Sequence, residues 1–250
     1  MASEKSRAIV LRVIDFSETS CIVSLFTEGL GKISAMAKGA RRPKSPFESA
    51  LDLLARCRIV FLHKSSDSLD LLTEAKLDRR FRAAARDLSR LYAGYYVAEL
   101  LQELTDEADP HPILFSLADR TLDGLDNDGP VAELVLRFEM MALKILGHMP
   151  SLDACAGCGG PVNMQQKIPF SQIAGGVLCG ECRRRTRGVV LTRPEVIELL
   201  KRYADDGQAW QQERLDNRWR GEMRGVLNHY LTNQLGRRPR MHKYLGMMMQ

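Results

Sequence analysis

The feature that most constrains this chain is the arrangement of its cysteines. Four of the six lie in two short pairs, Cys155-Ala-Gly-Cys158 and Cys179-Gly-Glu-Cys182, with twenty residues between the pairs. Two residues between thiols let one tight turn aim both sulfurs at one ion, and two such turns complete a tetrahedron with Zn–S distances near ~2.3 Å. The spacing therefore predicts a zinc site (Zn²⁺) with Cys155, Cys158, Cys179 and Cys182 as its ligands.

A metal held by four thiolates has no open position for water, so this site is expected to be structural and not catalytic. Its role would be to fold residues 151–190. A redox pair is the alternative, but redox thiols usually form one CxxC at a helix start, whereas here two pairs lie among glycines. Cys21 and Cys57 are predicted to be core residues, and His148 follows no ligand spacing.

The first eighty residues have the pattern of β-strands. Short runs rich in Val, Ile, Leu and Phe are separated by turn residues such as Glu28-Gly-Leu-Gly31. The predicted strands are 7–15, 20–27, 32–38, 57–62 and 69–76. Five short strands with one longer connection indicate a Greek-key barrel of the OB type. An SH3-like barrel would give a similar pattern and stays an alternative.

The spacing of apolar residues becomes helical from about residue 78. The first predicted helix ends at Asp109-Pro110, and the second runs from there to Gly129-Pro130. Further helices are predicted over 131–146, 193–205 and 217–235. The fold class is therefore α+β and multidomain. The predicted parts are an OB-type domain over 1–78, a helical bundle over 79–150, an inserted four-cysteine zinc module over 151–190, and helices over 191–250 that complete the helical domain.

Charge is distributed unevenly along the chain. Residues 1–80 carry a net +4, residues 81–150 a net −6 and residues 151–250 a net +7. A polyanionic partner is therefore plausible for the two ends and implausible for the middle. No apolar run approaches the roughly 18–20 residues that cross a bilayer, and the first sixteen residues lack a cleavage pattern, so the expected location is the cytoplasm.

Three runs of basic residues are candidate DNA contacts. The first lies on the third predicted strand and the loop after it, the second directly follows the last zinc cysteine, and the third is near the C-terminus. The candidates are Lys32, Lys38, Arg41, Arg42, Lys44, Arg183, Arg184, Arg185, Arg187, Arg237, Arg238 and Arg240. Each run alone is also compatible with an ordinary solvated surface. Phe16, Phe26, Phe47 and Phe61 are expected to be mostly core, so base stacking should contribute little.

Motifs of catalysis are missing from the sequence. Gly29-Leu-Gly-Lys32 resembles the glycine-lysine end of a phosphate-binding loop. Such a loop needs a glycine five residues before Gly31, where this chain has Phe26. HExxH and GxSxG do not occur, and the histidines are scattered. No catalytic residue is assigned, and the chain is expected not to be an enzyme.

Several stretches, in order along the whole chain, resemble one protein family. They are Ile9-Val-Leu11, Leu25-Phe-Thr27, Gly31-Lys-Ile33, Gly39-Ala-Arg-Arg42 with Lys44-Ser45, Phe138-Glu139 through Leu146-Gly147 with Pro150, the two cysteine turns with Gly175-Gly-Val-Leu-Cys179, and Leu235-Gly-Arg-Arg238. Together they resemble RecO, the bacterial family of DNA repair and recombination mediators.

The resemblance implies a function beyond what the residues alone give. Members of this family have an OB domain followed by a helical bundle with an inserted zinc module. They bind single- and double-stranded DNA, anneal complementary strands covered by single-strand-binding protein, and help to load the recombinase together with RecR. The resemblance also implies that the helical domain docks the acidic C-terminal tail of single-strand-binding protein. A zinc-ribbon adaptor that binds only proteins and a nucleic-acid-modifying enzyme are the alternatives.

Overall fold

The structure is a computed structural model, and it describes residues 3–47, 49–63, 69–85, 87–212, 215–244 and 246. The chain forms two compact units, Met1–Gly129 and Pro130–Gln250. The finer division predicted from the sequence, with boundaries at 78, 150 and 190, stays a prediction.

The first unit begins with five strands close to those predicted. They are β1 (Ser3–Asp15), β2 (Cys21–Thr27), β3 (Gly31–Ala37), β4 (Arg56–Leu62) and β5 (Asp70–Arg79). Each strand pairs with a neighbour on both sides, in the order β1-β2-β3-β5-β4 and back to β1. This order, in which β3 and β5 run parallel, favours the OB-type barrel over the SH3-like alternative.

The seam between β3 and β5 is the weakest part of this ring of strands. It contains only three residue pairs, from Ala35–Asp70 to Ala37–Leu72. Beyond these three pairs, β5 is hydrogen-bonded to the loop after β3 instead, since the Ala75 amide donates to the Pro46 carbonyl at 3.5 Å. The loop that carries the first basic run is therefore anchored to β5.

Every second side chain along the strands points into the barrel and fills its interior. On β2 and β3 the residues Cys21, Val23, Leu25, Ile33 and Ala35 all point into one buried cluster. The interior also holds Cys57 from β4, and this confirms that the two cysteines outside the paired motifs are core residues.

Two helices complete the first unit, α1 (Leu88–Leu104) and α2 (Pro112–Asp126). The helical pattern that was predicted to start near residue 78 starts ten residues later. β5 continues to Arg79 because it stays paired with β4, and a short 3-10 helix over Ala83–Ala85 follows. Asp87 then caps α1 by accepting a hydrogen bond from the Ser89 amide at 2.8 Å.

The second unit combines helices with a small sheet. Its helices are α3 (Val131–Ile145), α4 (Gly180–Arg185), α5 (Pro194–Ala204) and α6 (Asn217–Gln234), and 3-10 helices cover Ala209–Gln212 and Arg240–Tyr244. The strands β6 (Ile168–Ser171), β7 (Gly176–Val177) and β8 (Val189–Thr192) pair in the order β7-β6-β8. The predicted fold class, a five-stranded barrel followed by a helical region with a four-cysteine module, is confirmed. Among the described residues, no helix is both long and apolar enough to cross a bilayer.

Candidate functional site

The four paired cysteines come together in the second unit. Their sulfur atoms all lie within 4.8 Å of one another, and Cys158 Sγ is 3.8 Å from Cys179 Sγ. A regular tetrahedron with metal–sulfur distances of about 2.3 Å has sulfur–sulfur edges of about 3.8 Å. The cluster therefore has the size of a four-thiolate metal site.

Short turns hold these sulfurs in place. After the first cysteine the chain folds back, so that the Gly159 amide donates to the Cys155 carbonyl at 2.7 Å and Gly159 takes a positive φ of 73°. A Cβ on Gly157 would lie 3.1 Å from Cys182 Sγ, so a side chain here would crowd the cluster. The second pair opens α4, with the Cys182 amide facing Cys179 Sγ at 3.5 Å.

A close contact between two backbone segments holds the first cysteine turn against the strand that leads to the second. Gly176 on β7 lies so close to Ser151 that a Cβ would come within 2.2 Å of the Ser151 carbonyl oxygen. The Val177 amide donates to that same oxygen at 2.9 Å, and the Ala156 amide donates to the Val177 carbonyl at 2.8 Å. This packing explains why glycine is required at position 176, three residues before Cys179.

The thiols of the cluster differ in how readily they ionise. Burial raises the pKa of Cys155, but backbone N–H groups, that of Cys179 among them, outweigh it and lower the pKa to about 6. The hydrogen bonds of the Cys182 thiol to Cys155, Cys179 and Cys158 raise its pKa to about 12. Four thiolates this close together repel one another, so a positive ion among them would favour deprotonation of all four, and sulfur donors suit a soft or borderline metal.

The first basic run forms an exposed loop on the barrel. Lys38, Arg41, Arg42 and Lys44 are all exposed, and among the described residues only Arg41 of these four forms an ion pair, with Asp15. The loop is held by its backbone, since the Arg41 amide donates to the Thr19 carbonyl at 3.1 Å. Its cations are therefore presented to solvent by an anchored segment.

Lys32 has a different environment from the rest of its run. Its ammonium group donates to the carbonyl oxygens of Gln102 at 2.8 Å and Thr105 at 2.5 Å, where α1 ends. A cation at this position satisfies carbonyls that have no partner within the helix and complements its dipole. The ammonium of Lys32 thus binds the end of α1, and we expect it to hold that helix to the barrel.

Replacement of Lys32 by methionine tests this role. Loss of the two hydrogen bonds is expected to lower the free energy of unfolding by about 1–2 kcal/mol, because the carbonyls at the end of α1 lose their cation. Urea unfolding monitored by circular dichroism measures this change. Since the ammonium is bound by these two carbonyls, DNA affinity should keep the wild-type dependence on salt. A flatter dependence would show that Lys32 contacts phosphate.

One aromatic residue was wrongly predicted to be core. Phe16 is 58% exposed, whereas Phe26, Phe47 and Phe61 are buried as predicted. Phe16 lies at the turn between β1 and β2, where its amide donates to the Ser20 carbonyl at 3.0 Å, and the Ser20 hydroxyl in turn accepts from the Gly39 amide. The turn that carries this exposed ring is thus hydrogen-bonded to the start of the basic loop, and the sequence signal for the exposure was the Ser17–Ser20 turn that follows.

The two basic runs of the second unit approach the same turn. Arg183, Arg184, Arg185 and Arg187 are all exposed, on α4 and just after it. Gly188, the next residue, lies beside Ile173: a Cβ at this position would be 3.7 Å from Ile173 Cδ1.

On the other side of that turn, the Asn233 amide group donates to the Gln172 carbonyl at 3.0 Å. Arg237, Arg238 and Arg240 follow shortly after α6 and are exposed. Four residues span at most about 14 Å, so Arg237 lies within that reach of Asn233. The residues next to both basic segments, which are fifty residues apart in the sequence, therefore contact the same β6–β7 turn.

Comparison with known proteins identifies the family. A family model described as "Recombination protein O N terminal" matches residues 1–81, and one described as "Recombination protein O C terminal" matches residues 85–243. The chain belongs to the RecO family. Both halves of the RecO pattern are present in order, as the resemblance seen in the sequence implied.

Curated relatives with RecO names match over nearly their whole length. The chain is 40% identical to "DNA repair protein RecO" of Rhodopirellula baltica, over 95% of this chain and 97% of that protein. It is 35% identical to the protein of the same name from Anaeromyxobacter dehalogenans, over 98% and 96%, and 32% identical to that of Symbiobacterium thermophilum, over 98% and 97%.

Proposed function

We propose that this chain is a non-enzymatic DNA-binding mediator of recombinational DNA repair. It binds single- and double-stranded DNA, anneals complementary strands, and assists recombinase loading with RecR and single-strand-binding protein. It acts in the cytoplasm, at the nucleoid. Membership of the RecO family, whose curated relatives are named DNA repair proteins, supports the repair role. The single observation that carries direct DNA binding is the anchored loop with its exposed cations Lys38, Arg41, Arg42 and Lys44.

Phosphate contacts explain how such a protein acts without ATP. Each phosphate that a cation neutralises releases about 0.7 counterion from single strands and about 0.9 from duplex, so binding is sensitive to salt and independent of base sequence. Neutralising two backbones at once lowers their mutual repulsion, so complementary strands meet and pair. Annealing then requires positioning only, with no bond made or broken by the protein.

The four-cysteine cluster would hold Zn²⁺ as a scaffold. Four sulfur donors at tetrahedral spacing are the ligand set of structural zinc, which has no open position for a reacting water. The ion would fix the two cysteine turns and thereby the position of α4. Arg183, Arg184 and Arg185 on that helix, with Arg187 after it, would add phosphate contacts in the second unit. The run Arg237, Arg238 and Arg240 belongs to the same proposed surface.

Phe16 adds a contact that the sequence did not suggest. Its exposed ring is carried by a turn that is hydrogen-bonded to the basic loop, so an unpaired base of a bound single strand could stack on it. Stacking on an aromatic side chain contributes about 1–3 kcal/mol per base and does not depend on which base it is. Such a contact would favour single strands over duplex, whose bases are already stacked.

The double substitution Arg41→Ala with Arg42→Ala tests the loop. Because two phosphate contacts are lost, binding to oligonucleotides of every sequence should weaken, and the slope of log affinity against log salt should fall by roughly one to two. Fluorescence anisotropy of a labelled oligonucleotide, titrated at several salt concentrations, measures both quantities. Arg120→Ala on α2 serves as control, since it removes an exposed cation elsewhere in the first unit.

Two outcomes of this titration contradict different parts of the proposal. An unchanged slope in the double variant would remove the loop from the DNA path. Wild-type protein without salt-sensitive affinity for DNA would contradict DNA binding itself and favour an adaptor that binds only proteins. Annealing of complementary strands, with and without single-strand-binding protein, then tests the mediator role.

A further inference from the structure

The barrel face that OB folds commonly use for ligands is occupied in this protein. Strands 2 and 3 form that face in other OB domains. Here Phe26 on β2 packs against Phe115 of α2, with ring centroids 6.2 Å apart. Lys32 binds the end of α1, and the Ser34 hydroxyl donates to Glu107 at 2.7 Å. Of the outward residues on these two strands, all of which the structure describes, Lys32 is the only cation.

A row of cations lies on the neighbouring strands β1, β4 and β5 instead. The strand register places Arg7 of β1 directly opposite Arg58 of β4, and Arg58 directly opposite Lys76 of β5. Residues opposite each other on adjacent strands project from the same face, and neighbouring strands lie about 4.8 Å apart. Three positive side chains therefore lie side by side across about 10 Å of the outer surface.

These residues line a groove of about 570 Å³ that continues toward the basic loop. Lys5, one pair of residues further along β1, adds a fourth cation, and Pro46 forms one edge. Pro46 is the residue whose carbonyl is bonded to β5 at Ala75, and Lys44 is two residues before it. Because two residues span at most about 7 Å, the backbone of Lys44 lies within that distance of this edge of the groove.

Nearby carboxylates neutralise only part of this charge. Arg7 is paired with Glu28 at 2.9 Å and lies 3.9 Å from Asp119, and Arg58 is paired with Asp78 at 2.9 Å. Glu74 also lines the groove. These pairs are partly exposed to water, where ion pairs are weak and phosphate can compete.

The two lysines of the groove differ from its arginines. Within the part of the chain that the structure describes, Lys5 and Lys76 are exposed and form no ion pair. Like charges in adjacent strands repel one another, so an unneutralised cation beside the Arg7–Arg58 pair costs stability when no anion is bound. A bound polyanion would relieve this repulsion, so the row of cations favours the binding of a polyanion.

We propose that the groove on β1, β4 and β5, lined by Lys5, Arg7, Arg58 and Lys76, binds the sugar-phosphate backbone of a nucleic acid strand and extends the path that begins at the basic loop. This inference rests on the proposed DNA binding and names a second stretch of it. A strand held here would lie on the outer surface of β1, β4 and β5, beside α2, whose Phe115 ring and Asp119 contact Arg7.

The test is the double substitution Lys5→Ala with Lys76→Ala. Neither lysine forms an ion pair with any residue that the structure describes, so their removal should have little effect on folding. Two lost contacts to a single strand reduce the slope of log affinity against log salt by about 1.4. Between 50 and 200 mM salt the variant should therefore lose about sevenfold less affinity for labelled oligo(dT) than the wild type. Arg120→Ala, an exposed cation on α2, should keep the wild-type slope.

The outcomes separate the groove from the function as a whole. One outcome is that the Arg41→Ala, Arg42→Ala variant differs in slope from the wild type, whereas the Lys5→Ala, Lys76→Ala variant matches it. This result would contradict binding in the groove and leave DNA binding by the loop intact. If the wild type itself binds no oligonucleotide, the proposed function fails. A charge reversal, Lys76→Glu, gives an independent reading, because it should weaken binding more than Lys76→Ala; equal affinity of the two variants would also overturn the groove.

Discussion

Replacement of Cys155 by serine is expected to abolish metal binding and to lower the melting temperature of the second unit. Cys155 is the buried ligand of the cluster, and three remaining thiols leave the tetrahedron incomplete. Metal binding can contribute on the order of 10 kcal/mol to a small loop-rich module, so its loss should unfold the segment around β6, β7 and α4. Metal analysis should give one zinc per wild-type chain and none in the variant, and a thermal melt should show the lower stability.

The chain supplies its own control for this experiment. Cys21 is equally buried but lies in the barrel, so Cys21→Ala should keep the full metal content. Chelation of the metal from the wild type should reproduce the melt of the Cys155 variant. Full zinc content in Cys155→Ser would contradict the four-thiolate site, and metal-dependent hydrolysis of DNA by the wild type would contradict a structural role.

Replacement of Arg224 by alanine should lower the free energy of unfolding of the second unit by about 3–5 kcal/mol. Arg224 on α6 binds both carboxylate oxygens of Glu139 on α3, one of them at 2.6 Å, and the Glu139 side chain is fully buried. Removing the guanidinium leaves the Glu139 carboxylate buried without the charge that binds both of its oxygens. Both tryptophans, Trp210 and Trp219, lie in this unit, so their fluorescence during urea unfolding reports its stability.

An exposed pair on the same helix provides the comparison. Arg218 is paired with Glu222 at 3.6 Å, but its side chain is 59% exposed, so Arg218→Ala should cost no more than about 1 kcal/mol. Replacing both buried partners, as Arg224→Met with Glu139→Leu, should recover most of the lost stability because no unpaired charge remains. A loss below about 1 kcal/mol in Arg224→Ala would show that the pair is not desolvated.

Local sequence patterns were sufficient to predict the metal cluster and most elements. The ligands are set by two CxxC turns, each of which is complete within four residues, so spacing alone identified them. Strands and helices were predicted well where one face is buried, because burial imposes a period of two or of 3.6 on the apolar residues. The start of α1 was missed because β5 stays paired with β4 as far as Arg79, and such pairing involves residues far apart in the sequence.

The groove could not be predicted from the sequence for the same reason. Arg7, Arg58 and Lys76 become neighbours only through the strand register, and none belongs to a basic run. Lys32 does belong to such a run, yet the structure places its ammonium at the end of α1. A count of charges along the chain shows how many cations are present, but tertiary contacts determine which of them face solvent.

The dependence of DNA affinity on salt is the most direct test of phosphate-led binding by this protein. Anisotropy of a labelled oligo(dT) and of a labelled duplex should be measured with the wild type over a series of salt concentrations. Straight lines of negative slope are expected when log affinity is plotted against log salt, with about 0.7 counterion released per contacted phosphate on the single strand and about 0.9 on the duplex. Affinity that does not change with salt, or no binding even in very dilute buffer, would contradict the proposal.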